Sequence, residues 1–301
     1  MYESILVPVD GSEPSRSAVD RALSLAETVD ATLSLLTVIK PATLPTRETS
    51  LSFSRRAALD TQPTETLEYA ESAAADAGVD YSTAVEVGTP YEEIRSRTDD
   101  EDVDLIAMGT HGRSGIDRLL LGSVAERTLR TSDVPVLTTG ESEQGWAVDD
   151  VLVPTDGSGP ATEAVDDALE FASACDATIH ALSVVNTQML APVYHAGAGL
   201  SRVTKSLREQ RERDVEAIRD RAVDYGLDCN TTVLDGLAGR AIPRYAGDKD
   251  MDLVVMGTHG RTGFKRAFLG SVTESTIRSS PAPVLAVPSV DGPSADGDRQ
   301  T

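Results

Sequence analysis

The chain has 301 residues but only two cysteines, Cys175 and Cys229, and four lysines. Two cysteines make neither a disulfide framework nor a thiolate metal site. Cys175 falls on the apolar stripe of a predicted helix, where a reduced, buried thiol is expected. No apolar run approaches the ~20 residues that a membrane-spanning helix needs, and the opening MYESILVPVD carries no signal-peptide pattern. A cytoplasmic protein without a membrane partner is the expectation. Positive charge is scarce as well: 27 Lys and Arg stand against 49 Asp and Glu, a formal net charge of −22. A field of that sign repels nucleic acid and anionic lipid, so neither is an expected partner. The familiar phosphate signatures GxxxxGKS/T and GxGxxG do not occur.

What the chain does contain is a long-period repeat. The stretch GTHGRSGIDRLLLGS at 109–123 returns as GTHGRTGFKRAFLGS at 257–271, with all four glycines in register. ILVPVDGS at 5–12 returns as VLVPTDGS at 151–158, and DATLSLLTVI at 30–39 as DATIHALSVV at 176–185. The early repeats are offset by 146 and the later ones by 148, so a two-residue slip lies between the second and third strands of each copy. Two whole domains are duplicated. Their expected extents are 1–143 and 144–290, joined through the charged, glycine-bearing GESEQGWAVDD, with 291–301 expected to be a disordered tail.

Inside each copy the periodicity alternates. Ile5–Val9 and Val151–Thr155 are short apolar runs closed by Asp-Gly-Ser, a buried strand turning into a serine-capped helix. Ala18, Ala22, Leu25, Ala26 and Val29 then form a helical stripe, matched by Ala164, Ala168, Phe171, Ala172 and Cys175. Continuous apolar strands alternating with helices predict an α/β fold: two tandem, doubly wound, five-stranded parallel sheets of Rossmann-like type. Ligands of such sheets sit beyond the carboxyl ends of the strands, where Asp10, Met108–Gly109, Asp156 and Met256–Gly257 fall.

The repeated loop is read as an anion site. Glycines at 109, 112 and 122, and at 257, 260 and 270, permit positive φ and close backbone approach to a ligand. Backbone N–H groups leading into a helix N-terminus favour phosphate. Ser123 and Ser271 are expected both to cap the helix and to offer a hydroxyl. Asp10 and Asp156 have an alternative reading as ordinary Asp-Gly-Ser turn residues. His111 and His259 lie inside the loops without a catalytic companion at recognisable spacing, so loop packing or a phosphate hydrogen bond is expected of them. The arginine-rich LREQRERDVEAIRDR interleaves both signs of charge and reads as a solvated, salt-bridged helix face.

The pattern Gly-x2-Gly-x9-Gly-Ser resembles that of the ATP-binding branch of the universal stress protein family, in both copies and over nearly the whole chain. The resemblance implies a tandem member that binds ATP, or another adenine nucleotide, with Mg2+. Pro8, Val9 and Asp10, with Pro154, Thr155 and Asp156, would lie at the adenosine, and Val38 and Val184 would line the adenine pocket. Met108 and Met256 would neighbour the nucleotide. Gly109, Gly112, Arg113, Gly122, Ser123 and Val124 would hold the phosphates in the first copy, and Gly257, Gly260, Arg261, Gly270, Ser271 and Val272 in the second. Thr155 departs from the Val9 of the first copy. The last strands would pair the two domains within the chain, and a homodimer is a further option. The expected function is a nucleotide-dependent regulator of the stress response rather than an enzyme. The alternatives are a slow ATP hydrolase and a stress-induced dimer that no longer uses nucleotide.

An acidic, lysine-poor and still globular composition also resembles that of halophilic archaeal proteins. Self-repulsion at −22 destabilises the fold when salt is low, and salt screens it. The melting temperature is therefore expected to rise between roughly 0.1 M and 2 M KCl; a flat or falling profile counts against halophilic adaptation.

Overall fold

In the computed structural model, which describes residues 2–40, 67–112, 121–140, 146–186, 200–259 and 269–289, the first apolar run is a strand, β1 (Ser4–Pro8). Its Ile5, Leu6 and Val7 are all fully buried. Three successive buried side chains need cover on both faces, which a parallel sheet between helical layers provides. The first half continues with α1 (Glu13–Val29), β2 (Thr32–Ile39), a helix α2 described over 67–77, β3 (Tyr81–Val87), α3 (Pro90–Asp100), β4 (Leu105–Gly109), α4 (Ser123–Thr131) and β5 (Val136–Thr139). The second half repeats the series as β6 (Asp150–Thr155), α5 (Gly159–Cys175), β7 (Thr178–Val185), α6 (Leu200–Asp224), β8 (Cys229–Asp235), α7 (Ala238–Asp248), β9 (Leu253–Gly257), α8 (Ser271–Ser279) and β10 (Val284–Val287). The expected tail 291–301 lies outside the described residues.

Each half is the five-stranded, doubly wound parallel unit that the periodicity predicts, with order β3-β2-β1-β4-β5 in the first and β8-β7-β6-β9-β10 in the second. Strand order reverses between β1 and β4, and between β6 and β9, so each half has a switch point at the carboxyl ends of its strands. β5 and β10 pair antiparallel, Leu137 opposite Leu285, and make one ten-stranded sheet. Thr138 Oγ1 adds a hydrogen bond to Val284 O (3.0 Å) across this seam.

Two apolar layers sandwich the sheet, and each runs through both halves. On one face the alanines of α1 (Ala18, Ala22, Ala26) and α5 (Ala164, Ala168, Ala172) are at most 2% exposed, small enough to bring both helices close to the strands. Contacts beyond the strands also tie the halves. Tyr2 donates from its hydroxyl to Asp167 Oδ1 (3.2 Å), and burial pushes its pKa up. Trp146, which the sequence places in a polar linker, packs tilted against Phe171 (ring centroids 6.0 Å apart) under the Arg21 guanidinium and donates to Asp252 O. The thiols of Cys175 and Cys229 are free but only half-buried, and burial raises both, Cys229 to about 11. Among the described residues no helix is long and apolar enough to cross a membrane.

Four aspartates hold left-handed backbone: Asp30 (φ 58), Asp102 (φ 49), Asp176 (φ 55) and Asp250 (φ 51). Asp30 and Asp176 end α1 and α5, each returning its N–H to a carbonyl of the last turn (Ala26 and Ala172). Aspartate tolerates this region less well than glycine. Asp176→Gly, at an exposed position, is expected to raise unfolding stability by about 0.5–1 kcal/mol in urea titration, and a loss would mean that its carboxylate contributes more than the backbone strain costs.

Candidate functional site

The chain leaves β1 through Pro8-Val9-Asp10 and enters α1 behind Ser12, the N-cap, whose hydroxyl accepts from Ser15 N (3.4 Å). Asp10 closes this turn: its Oδ1 accepts from Ser12 N (3.0 Å) and Ser12 Oγ (2.6 Å), and its own N–H donates to Ser15 Oγ (3.2 Å). The turn reading of Asp10 is therefore correct for one carboxylate oxygen. The other, Oδ2, lies against the glycine loop, 2.5 Å from where a Cβ on Gly112 would stand.

The loop after β4 is organised by Thr110. Its N–H donates to Thr139 O on β5 (2.9 Å), its carbonyl accepts from Gly122 N (2.7 Å), and its hydroxyl pairs with His111 Nδ1 (3.0 Å). One residue thus ties the end of β4, the loop histidine and the start of α4 to the strand at the seam. Chain crowding explains the glycines. A Cβ on Gly109 would meet the Pro14 backbone at 2.8 Å, and one on Gly122 would meet His111 Cα at 3.1 Å and Thr110 O at 3.2 Å. None of the described loop glycines sits at positive φ, so the expected use of left-handed backbone is corrected: they are glycine because other chain segments touch them.

The serine cap is also corrected. The N-cap of α4 is Gly122 (φ −64), without a side-chain cap, and Ser123 is the first helical residue and exposed. A cap must precede the first helical residue to reach the N–H groups of the first turn. The same arrangement puts Gly270 at the N-cap of α8 ahead of Ser271. The first helical bond runs from Glu126 N to Gly122 O, which leaves the N–H groups of Ser123, Val124 and Ala125 without intrahelical acceptors. An uncapped helix start is a region of positive potential.

These pieces surround a cavity of about 400 Å3 at the carboxyl ends of β1, β2 and β4. The ten described first-half residues of the predicted site all line it: Pro8, Val9, Asp10, Val38, Met108, Gly109, Gly112, Gly122, Ser123 and Val124. Arg113 lies outside the described residues. One wall is apolar (Leu36, Val38, Ile39, Ile94, Met108); the other carries Asp10, Ser12, Ser15, His111 and Ser123. Pro90, Ile94 and Lys40 were not singled out in the sequence. Lys40 had a signal: it directly follows β2 in a chain with four lysines.

The second half places Pro154, Thr155, Asp156, Val184, Met256, Gly257, Gly270, Ser271 and Val272 at the equivalent strand and helix ends, while Gly260 and Arg261 lie outside the described residues. Thr258 repeats the role of Thr110, to Val287 O (2.8 Å), from Gly270 N (2.8 Å) and to His259 Nδ1 (2.9 Å). Asp156 Oδ1 closes its turn through Ser158 N (3.0 Å), and Thr155 uses its extra hydroxyl to accept from Gly157 N (3.0 Å). In the second half α6 adds a further contact to the turn. Arg211, 7% exposed, donates to the Asp156 carbonyl and pairs with Asp214 Oδ2 at 2.7 Å. Asp214 lies over Gly157, which holds φ +73. The arginine-rich stretch is thus not wholly solvated: its face toward the strand ends is buried because it closes over the second Asp-Gly-Ser turn.

Comparison with known proteins agrees with this architecture. The chain is 33% identical over 137 residues to the universal stress protein MJ0531 of Methanocaldococcus jannaschii, covering 46% of this chain and 80% of that one. It is 26% identical over 293 residues to a universal stress protein of Mycolicibacterium smegmatis, covering 94% and 96%. The crystal structure of a universal stress protein from Archaeoglobus fulgidus has the same fold, with TM-score 0.72 at 24% identity over 95% of this chain and 98% of the other. The family match falls once on each half, at residues 1–139 and 148–288. The chain belongs to the universal stress protein family and carries two of its domains in tandem.

Proposed function

We propose that each half binds an adenine nucleotide, ATP with Mg2+ in the first instance, and that occupancy regulates what the protein does in the stress response without rapid turnover. The observation that carries this reading is the convergence of ten predicted residues on one cleft beside an uncapped helix start. The fit is chemical as well as spatial. Val38, Ile39, Ile94 and Met108 offer a flat apolar wall for a purine. The free N–H groups of Ser123–Ala125, with the exposed Ser123 hydroxyl, suit phosphate oxygens. Among the described residues no three His, Cys, Asp or Glu side chains gather into a metal site, so the phosphates themselves would supply most ligands of a divalent cation. The two binding units are taken as 1–143 and 144–290, paired through β5 and β10.

Mass spectrometry of nucleotide carried through purification, followed by calorimetry on the intact chain, tests the proposal. About two nucleotides per chain are expected, one for each helix start; none at all removes the reading. cAMP belongs among the competitors, since a universal stress protein aligned with 47% of this chain (30% identity, TM-score 0.37) was crystallised in complex with it.

Binding and folding are separable in one pair of variants. Ser123→Ala is expected to lower ATP affinity at the first cleft about tenfold, the worth of one hydrogen bond to a charged group, and to leave the urea midpoint unchanged because this serine is not the cap. Ser12→Ala removes a true cap and is expected to cost about 1 kcal/mol of stability. A destabilised Ser123→Ala with normal affinity reverses both assignments.

A further inference from the structure

Beside the nucleotide cleft lies a second, smaller cavity of about 190 Å3, and its walls come from both halves. Thr110 and His111 of the first-half loop and Thr138 of β5 form one side; Arg278 and Ser280, at the end of α8, form the other. His111 also lines the 400 Å3 cleft, so this residue stands between the two spaces. The loop is not free to ignore the seam. Thr110 holds His111 Nδ1 while its N–H is bonded to Thr139, next to Thr138, which is itself bonded to Val284 of β10.

Arg278 is held in an unusual way. Its Nη2 pairs with Glu274 Oε1 at 2.6 Å, and its Nε is buried with no hydrogen-bond partner among the described residues. Arg130, at the equivalent position of the first half, repeats the pattern: Nη2 pairs with Glu126 Oε1 at 2.6 Å, and Nε is again buried without a partner. A buried unpaired donor is costly and needs a reason. Its occurrence at both repeat positions makes an accident of side-chain placement a poor explanation, and for Arg278 the cavity wall it shares with Thr110 and His111 of the opposite half offers a reason.

We propose that Arg278, supplied by the second half, is a positioning residue for the first-half cleft, acting through His111 across the seam cavity. The inference rests on the nucleotide-binding reading above. With Arg278 in place the cavity keeps its far wall, and His111, Thr110 and the start of α4 stay in one arrangement because Thr110 joins all three. Loss of the arginine side chain enlarges the cavity, lets the loop relax into it and displaces the N–H groups that would face phosphate. The apolar wall around Val38 and Ile94 is built from β2 and α3 and is not attached to Thr110. Phosphate-dependent affinity is therefore sensitive to Arg278 and nucleoside affinity is not.

The test uses the full chain and the internal symmetry as its control. ATP and adenosine binding are measured calorimetrically for Arg278→Ala, Arg278→Lys and Arg130→Ala in a Gly270→Val background, each against the Gly270→Val parent, whose added side chain crowds Thr258 O (a Cβ there stands 3.1 Å away) and is expected to weaken the second site. Expected for the first cleft are about five- to tenfold weaker ATP binding in Arg278→Ala, the size of a coupling between sites, adenosine within about twofold, recovery in Arg278→Lys, and no change in Arg130→Ala. Equal loss in Arg278→Ala and Arg130→Ala, or equal loss for ATP and adenosine, overturns the proposal in favour of general destabilisation; no loss overturns it outright. A second readout needs no nucleotide. The His111 ring resonances, identified by their disappearance in His111→Gln, are expected to shift in Arg278→Ala and to stay in place in Arg130→Ala. If the parent chain binds no nucleotide, the functional reading fails by itself and this spectrum still decides whether Arg278 positions His111.

Discussion

The hydrogen bonds of one threonine in each half organise the rest of the site. Thr110 and Thr258 follow the last glycine of β4 and β9, and each holds three partners at once: the seam strand through N–H, the helix N-cap through its carbonyl and the loop histidine through its hydroxyl. A loop of this length left to itself samples many conformations. Anchored at this point, it begins at the carboxyl end of an interior strand, β4 or β9, and ends where α4 or α8 begins. The glycines on either side are then crowded: a Cβ on Gly109 or Gly257 would meet the Pro14 or Pro160 backbone at 2.8 or 2.7 Å, and one on Gly122 or Gly270 would press on Thr110 O or Thr258 O at 3.2 or 3.1 Å. The open helix start follows from the same constraint, because glycine at the N-cap offers no side chain to satisfy the first turn.

Duplication has copied this frame closely and left the surroundings free to diverge. The turn after β1 and the turn after β6 share the Asp-Gly-Ser closure, and a buried ion pair from α6 covers the second. Magnitudes separate that pair from the other charges of the same helix. Exposed pairs such as Lys205–Glu209 contribute about 0–1 kcal/mol. Removing one partner of a pair buried as Arg211 and Asp214 are costs about 3–5 kcal/mol, since the remaining charge stays out of water.

The pairing of β5 with β10 gives this frame its wider consequence. Both loop threonines hang on seam strands, so neither loop can shift without disturbing a strand shared with the other half. Tyr2–Asp167 and the Arg21 guanidinium over Trp146 join the two halves on the opposite helical layer.

Much of this was legible in the sequence. Apolar runs such as Ile5–Val7 and the alanine stripes of α1 and α5 specify buried strands and close-packed helices by local pattern alone, and the repeat specifies that this happens twice. The positions of the site were legible too, because strand-end and helix-start residues are set by the order of elements. What the residues do there was less so. Ser123 was expected to cap α4 and the loop glycines to use left-handed backbone, whereas Gly122 is the cap position and Gly109 and Gly122 are crowded by Pro14, Thr110 and His111. Trp146 looked like linker and packs against the core, and Arg211 looked solvated and is buried, since the Arg21 guanidinium and the Asp156 carbonyl that meet them lie far along the chain. By itself, then, the sequence determined the duplicated α/β architecture and the place of the cleft, for which neighbours in the chain carry the information. Tertiary structure alone decided which atoms are engaged and which are left open, because a hydrogen bond or a crowded glycine depends on segments that only folding brings together.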